Sequence, residues 1–101
     1  VILFLMDKQD IKKKIKAQLP LLREKYNVKR LGIFGSVVRG QQRKGSDLDI
    51  LVEFISPIGF FDFIRLENFL AKTLNQKVDL VSKKALKPAI KTNILEEALY
   101  V

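Results

Sequence analysis

Residues 31–54 read LGIFGSVVRGQQRKGSDLDILVEF, and the rest of the chain is arranged around this stretch. Leu31, Ile33 and Phe34 close an apolar run that predicts a strand over 28–34, with Asn27 marking the turn before it. Gly35 ends that strand. Ser36 is placed to cap a short helix that reaches Gly40 or Gln41, with Gly40 as its stop. Residues 42–46 carry turn signals. A second strand is expected over 47–54. Side chains alternate along a strand, so Leu48, Ile50, Val52 and Phe54 share one face, and Asp47, Asp49, Leu51 and Glu53 share the other.

Upstream, residues 7–26 have helical periodicity. Ile11, Ile15, Leu19, Leu22 and Tyr26 recur in steps of four and three and form one apolar stripe. Asp7 or Asp10 suits the cap. Pro20 conflicts with this reading and predicts a kink, because it removes one hydrogen bond and crowds the carbonyl of Lys16. Downstream, Ser56, Pro57 and Gly59 break the chain. A strongly apolar helix is expected over 60–74, with its aromatics Phe60, Phe61, Phe63 and Phe69 assigned to core packing. Residues 77–82, KVDLVS, predict a third strand. Residues 88–100 predict a last helix opened by Pro88. The expected fold is α/β (α+β): a small mixed sheet with helices packed mainly on one face and the acids on the other.

The 101 residues suffice for one domain, taken as 1–101, with one modest core. Cysteine and histidine are both missing from the sequence. Disulfides, thiol nucleophiles, cysteine- or histidine-ligated metals and Ser-His-Asp chemistry are therefore excluded. Any catalysis has to run on carboxylates, lysines, hydroxyls or a hard metal ion. The net charge of +8 suits phosphate-bearing partners, and a lysine-rich solvated surface accounts for it equally well. The apolar run before Met6 is too short to span a membrane and lacks the flanks of a signal peptide. It reads as an upstream extension, or as a short strand capping the core. A cytoplasmic protein without membrane contact is expected.

Asp47 and Asp49 are one residue apart, so in a strand both carboxylates face the same way. Like charges about 5 Å apart repel by about 3 kcal/mol at an effective dielectric of about 20. Such a pair calls for a cation, and an all-oxygen donor set suits Mg²⁺ or Mn²⁺. Alone, a D-x-D spacing is common at strand ends. Asp79 adds to it, because an acid inside Val78-Asp79-Leu80-Val81 is costly unless it is paired, metal-bound or on an edge strand facing solvent. Gly35 lets an anion approach the backbone, Ser36 offers a hydroxyl, and Arg39 offers a charge-assisted donor one turn on. An ordinary helix cap and a surface cation would account for Ser36 and Arg39 separately.

Gly35-Ser36, ten residues, then Asp47-Leu48-Asp49 resembles the signature of the DNA polymerase β-like nucleotidyltransferase superfamily. The longer run FGSVVRG…SDLDILV is similar to the minimal nucleotidyltransferase (MNT) proteins, including the MntA-type antitoxins paired with HEPN-domain toxins. The leading helix, KVDLVS and the closing LKP…ILEEALYV extend the resemblance over nearly the whole chain. Val38 departs from it, since many relatives carry a small residue there. The resemblance implies that Asp47, Asp49 and Asp79 are catalytic and hold two Mg²⁺ ions. It implies that Gly35, Ser36 and Arg39 bind the triphosphate of ATP. It also implies AMP transfer to a hydroxyl, a tyrosine of a partner HEPN toxin, by an antitoxin in a hetero-oligomer. Two alternatives stay open: a non-catalytic nucleotide-binding antitoxin that works by complex formation, and a nucleotidyltransferase acting on RNA or a small molecule.

Overall fold

The computed structural model describes residues 7–41 and 47–101. The turn expected at 42–46 and the apolar run at 1–5 lie outside the described residues. Helix α1, Lys8–Tyr26, starts at Asp7, whose carboxylate accepts from the Asp10 amide at 2.9 Å. It ends at Asn27 in the left-handed region, with φ 56°. Asparagine tolerates that conformation, so the chain can reverse directly into a strand. The expected apolar stripe is the buried one: Ile11, Ile15, Leu19, Leu22 and Tyr26. Pro20 sits inside this helix on its exposed side, and the helix continues through it. Burial of Leu19 and Leu22, at roughly 1.5–3 kcal/mol each, is comparable with the roughly 3 kcal/mol cost of an interior proline.

Strand β1, Val28–Phe34, pairs antiparallel with β2, Leu48–Phe54. Helix α2, Phe60–Leu74, then carries the chain to β3, Val78–Ser82, which lies parallel to β2. Helix α3, Pro88–Glu97, leads into a two-residue strand, β4, Leu99–Tyr100, antiparallel to β1. The sheet order is β3-β2-β1-β4. The last helix is thus shorter than expected, and the β4 strand was not expected. Tyr100 explains the change. Its ring lies against Gly32, where a Cβ would come within 3.2 Å of Cδ1, and the Arg30 guanidinium covers it at 3.9 Å. A helix continued to residue 100 would forfeit both contacts.

The main core lies between the sheet and α1 and α2. Leu48, Ile50 and Val52 meet Ile11, Ile15, Leu22, Leu66, Leu70 and Leu74 there. Helix α3 covers the other face, where Phe34, Leu51 and Leu86 form a smaller cluster with Ile94, Leu95 and Tyr100 packed against it. The aromatic start of α2 corrects one expectation. Phe60 and Phe61 are 72% and 71% exposed, and Ile64 is also exposed, so they are not core residues. Geometry decides this. At about 100° per residue, the nine positions from Phe61 to Leu70 place Phe61 on the side of the helix opposite the Leu66-Leu70-Leu74 stripe. Phe63 lies near that stripe and does pack on the core.

Candidate nucleotide and metal site

The acidic face of β2 is the face covered by α3. Glu53 and Asp49 lie on it four residues apart, with different surroundings. Glu53 pairs with the Arg30 guanidinium and, at 3.2 Å, with Lys83. Burial pushes its carboxyl up, and these two cations more than offset that, leaving it below its ordinary value. Asp49 is half-buried, and no ion pair joins it, Asp47 or Asp79 to a described cation. Burial raises its carboxyl above the ordinary value, and the charges of Asp79 and Asp47 raise it further. Arg39 opposes this without reversing it, and Glu97 adds to it. Glu53 is a finished structural contact, whereas Asp49 carries uncompensated negative charge.

The parallel register sets Asp49 directly beside Asp79. Of the readings left open for Asp79, the edge-strand one describes its place among the described residues. β3 is an edge strand, Asp79 is exposed on it, and its backbone adjoins Asp49. Among the described residues, however, no three acidic side chains are drawn close enough to hold a metal ion between them. The register brings Asp49 and Asp79 side by side, and Asp47 lies two residues before Asp49. Asp47 and Asp79 are exposed, so rotation about their own bonds is open to them. The donor set is all oxygen, and Asp49 bears unneutralised charge. In both respects the residues fit a hard divalent cation.

The glycine turn abuts this group. Phe34, the last residue of β1, is opposite Asp49. Gly35 follows with φ +82°, a conformation in which a side chain is strained. Its backbone packs so closely on Asp49 that an added Cβ would overlap Oδ2 and lie 3.0 Å from Cγ. Gly35–Val37 forms a single 3-10 turn, shorter than expected, and its cap position is Phe34 rather than Ser36. The Arg39 amide bonds the Gly35 carbonyl at 3.2 Å, and Gly40, at φ +70°, turns the chain away as expected. Val38 packs partly against the core, so its bulk is accommodated.

A residue not singled out from the sequence completes the turn. Glu97, the last residue of α3, accepts from the Gly35 amide at 2.9 Å and from Arg39 Nη1 at 2.8 Å. Burial pushes its carboxyl up, and these two donors outweigh it, leaving it below its ordinary value. The sequence does hold one clue. Glu96-Glu97 puts acids at a helix C-terminus, against the helix dipole, which asks for a partner. It does not say which partner.

The nucleotidyltransferase domain family matches residues 12–101 of the sequence. The chain belongs to that family. This nucleotidyltransferase domain is 41% identical over 93 residues to the protein adenylyltransferase MntA of Thermococcus cleftensis, covering 92% of this chain and 94% of MntA. It is 45% identical over 93 residues to a candidate protein adenylyltransferase of Methanocaldococcus jannaschii, covering 91% of this chain and 95% of that one. In structure it is similar to a candidate minimal nucleotidyltransferase, with a TM-score of 0.78, 36% identity, and coverage of 93% of this chain and 95% of that one. A chain from a toxin–antitoxin complex with AMP-PNP matches with a TM-score of 0.72 and 26% identity, covering 88% of this chain and 70% of that one. The expected mixed-sheet nucleotidyltransferase fold is the fold observed. Among the described residues, no helix is long and apolar enough to cross a membrane.

Proposed function

We propose that residues 1–101 act as one protein adenylyltransferase domain, an antitoxin that moves AMP from ATP onto a tyrosine hydroxyl of a HEPN-domain toxin in the cytoplasm. The observation that carries this reading is the junction of the glycine turn with the acid pair. Gly35 packs on Asp49, and Asp49 adjoins Asp79. An anion site and a carboxylate site therefore share one wall, in a chain 41% identical to a protein adenylyltransferase. In this reading the Gly35–Arg39 turn seats the triphosphate. The Ser36 hydroxyl donates to a phosphate oxygen, and the Arg39 guanidinium offsets its charge. Asp47, Asp49 and Asp79 would hold magnesium, which when bound supplies Lewis-acid stabilisation of the phosphate charge. The acceptor oxygen forms a bond to the α-phosphorus, the α–β anhydride bond breaks, and pyrophosphate leaves. With no histidine in the chain, the hydroxyl proton passes to a carboxylate. Asp79, exposed on the edge strand, suits an acceptor arriving on another chain.

Intact mass of the HEPN partner is the deciding measurement. Incubation with this protein, ATP and Mg²⁺ is expected to add whole AMP units to the partner, and Asp47→Asn is expected to prevent the addition. The likeness to a chain from a toxin–antitoxin complex with AMP-PNP favours one other reading, a nucleotide-binding antitoxin that works by complex formation. A partner that is bound and inhibited at unchanged mass would establish that reading and overturn ours.

A further inference from the structure

We propose that Glu97 is a positioning residue for the nucleotide: it ties the two ends of the Gly35–Arg39 turn together and holds the Arg39 guanidinium where a triphosphate can meet it. The inference rests on the nucleotide-binding reading of that turn. One Glu97 oxygen takes the Gly35 amide and the other takes Arg39 Nη1, so a single carboxylate spans the turn from its first residue to the cation four positions on. Arg39 Nε is engaged separately, with Gln41 Oε1 at 3.3 Å. The guanidinium is thus oriented by two contacts and keeps further N–H groups to offer, since arginine carries five. Its side chain remains 52% exposed, open to a ligand. Holding a long cation in one geometry before the ligand arrives removes part of the ordering cost of binding.

The same contacts admit an opposite role. A carboxylate on an amide and a guanidinium resembles a phosphate, and Glu97 could act as a plug that ATP must displace. The arrangement favours positioning. Glu97 uses the Gly35 amide and one Arg39 nitrogen, and no described acceptor takes the Ser36 and Val37 amides that follow. Glu97 itself is fixed from behind. The next residue, Ala98, bonds back to Ile94 at 2.9 Å, and the strand after it pairs with β1.

The two roles predict opposite signs for AMP-PNP binding, measured by calorimetry in the presence of Mg²⁺. Glu97→Ala and Glu97→Gln are both expected to weaken binding by about tenfold or more, in line with losing the group that orients a ligand-binding side chain. Glutamine keeps the shape and gives up one of the two acceptor oxygens, so it carries the test if the alanine variant does not fold. In the transfer reaction KM for ATP should rise while kcat at saturating ATP changes little. The Arg39→Ala, Glu97→Ala double variant should bind no more weakly than Arg39→Ala alone, because Glu97 acts through Arg39. Equal or tighter binding by Glu97→Gln overturns the proposal, as do fully additive losses in the double variant. A wild-type protein that does not bind AMP-PNP overturns the nucleotide reading and this inference together. Binding that is normal in the wild type and unchanged in the variants removes the inference alone.

Discussion

Asp49→Asn is expected to abolish AMP transfer and, at neutral pH, to make the fold more stable. The loss follows from the position of Asp49 between the glycine turn and Asp79. Metal-based charge stabilisation supplies several kcal/mol to such transfers. At about 1.4 kcal/mol per tenfold, its loss amounts to about 10³-fold or more in rate. The gain in stability follows from proton linkage. In the fold, Asp49 titrates above its ordinary value of 3.8, because of burial first and the neighbouring acids second. The folded state therefore holds the proton more tightly than the unfolded chain does, and ionisation works against folding. The penalty is absent well below the ordinary value. It grows as pH rises from there through the raised value, and is full above it. Asparagine stays neutral throughout. Thermal unfolding without added metal should give the variant a higher midpoint at pH 7, with the difference closing as pH falls toward 3. Mg²⁺ should raise the midpoint of the wild type and not of the variant. Measurable transfer by the variant would remove Asp49 from the site. An unchanged midpoint at pH 7 would remove the unneutralised charge from the account.

Gly35→Ala is expected to destabilise the protein by about 2–4 kcal/mol, combining the backbone cost of a left-handed conformation with the strain of an added group. The φ of +82° supplies the first part, and overlap with Asp49 Oδ2 supplies the second. The Asp49 carboxylate can relieve the overlap only by rotating, which moves the group on which the site depends. Transfer should therefore fall by about 10²-fold or more even in the molecules that remain folded. Gly40→Ala is the matched control. Gly40 has a similar φ of +70°, and among the described residues nothing lies within 4 Å of the position of its missing Cβ. It should cost about 1–2 kcal/mol and leave transfer near normal. Denaturant midpoints and single-turnover transfer rates on both variants decide the matter. If the two behave alike, the tight packing of Gly35 on Asp49 has no functional weight.

Local periodicity made much of the architecture legible. The expected limits of β1 and α2 are the observed ones, because Val28–Phe34 and Phe60–Leu74 are bounded by clear breakers and are apolar at one period. Where a segment's structure depended on a distant partner, the sequence could not reveal it. The run Ala98-Leu99-Tyr100 suits a helix stripe and a strand equally well, and the pairing of Tyr100 with Gly32 decides between them. The aromatic residues at 60 and 61 are apolar wherever they point, and only the orientation of α2 exposes them. The site divides in the same way. Gly35, Ser36, Asp47 and Asp49 are joined by short spacing, and the glycine turn does lie against Asp49. The adjacency of Asp79 needed a parallel register, and Glu97 needed a bond to Gly35 across 62 residues.

That separation bears on how the protein folds and how it opens. β1, β2, α2 and β3 make their contacts over moderate loops, whereas α3 and β4 join β1 only by closing a much longer one. Such contacts form late, since the loop entropy has to be overcome before they contribute. None of the residues of α3 is fully buried, and β4 contributes only two residue pairs to the sheet. The segment therefore has the marks of a separately opening unit. Hydrogen exchange should find the Gly35 amide, bonded to Glu97, and the Val101 amide, bonded to Leu31, opening together and more readily than Ile50 in the central β2. Equal protection of all three would show instead that the segment is part of one cooperative whole. If it does open by itself, the Gly35–Arg39 turn loses its Glu97 contacts while α1, α2 and the three longer strands stay folded.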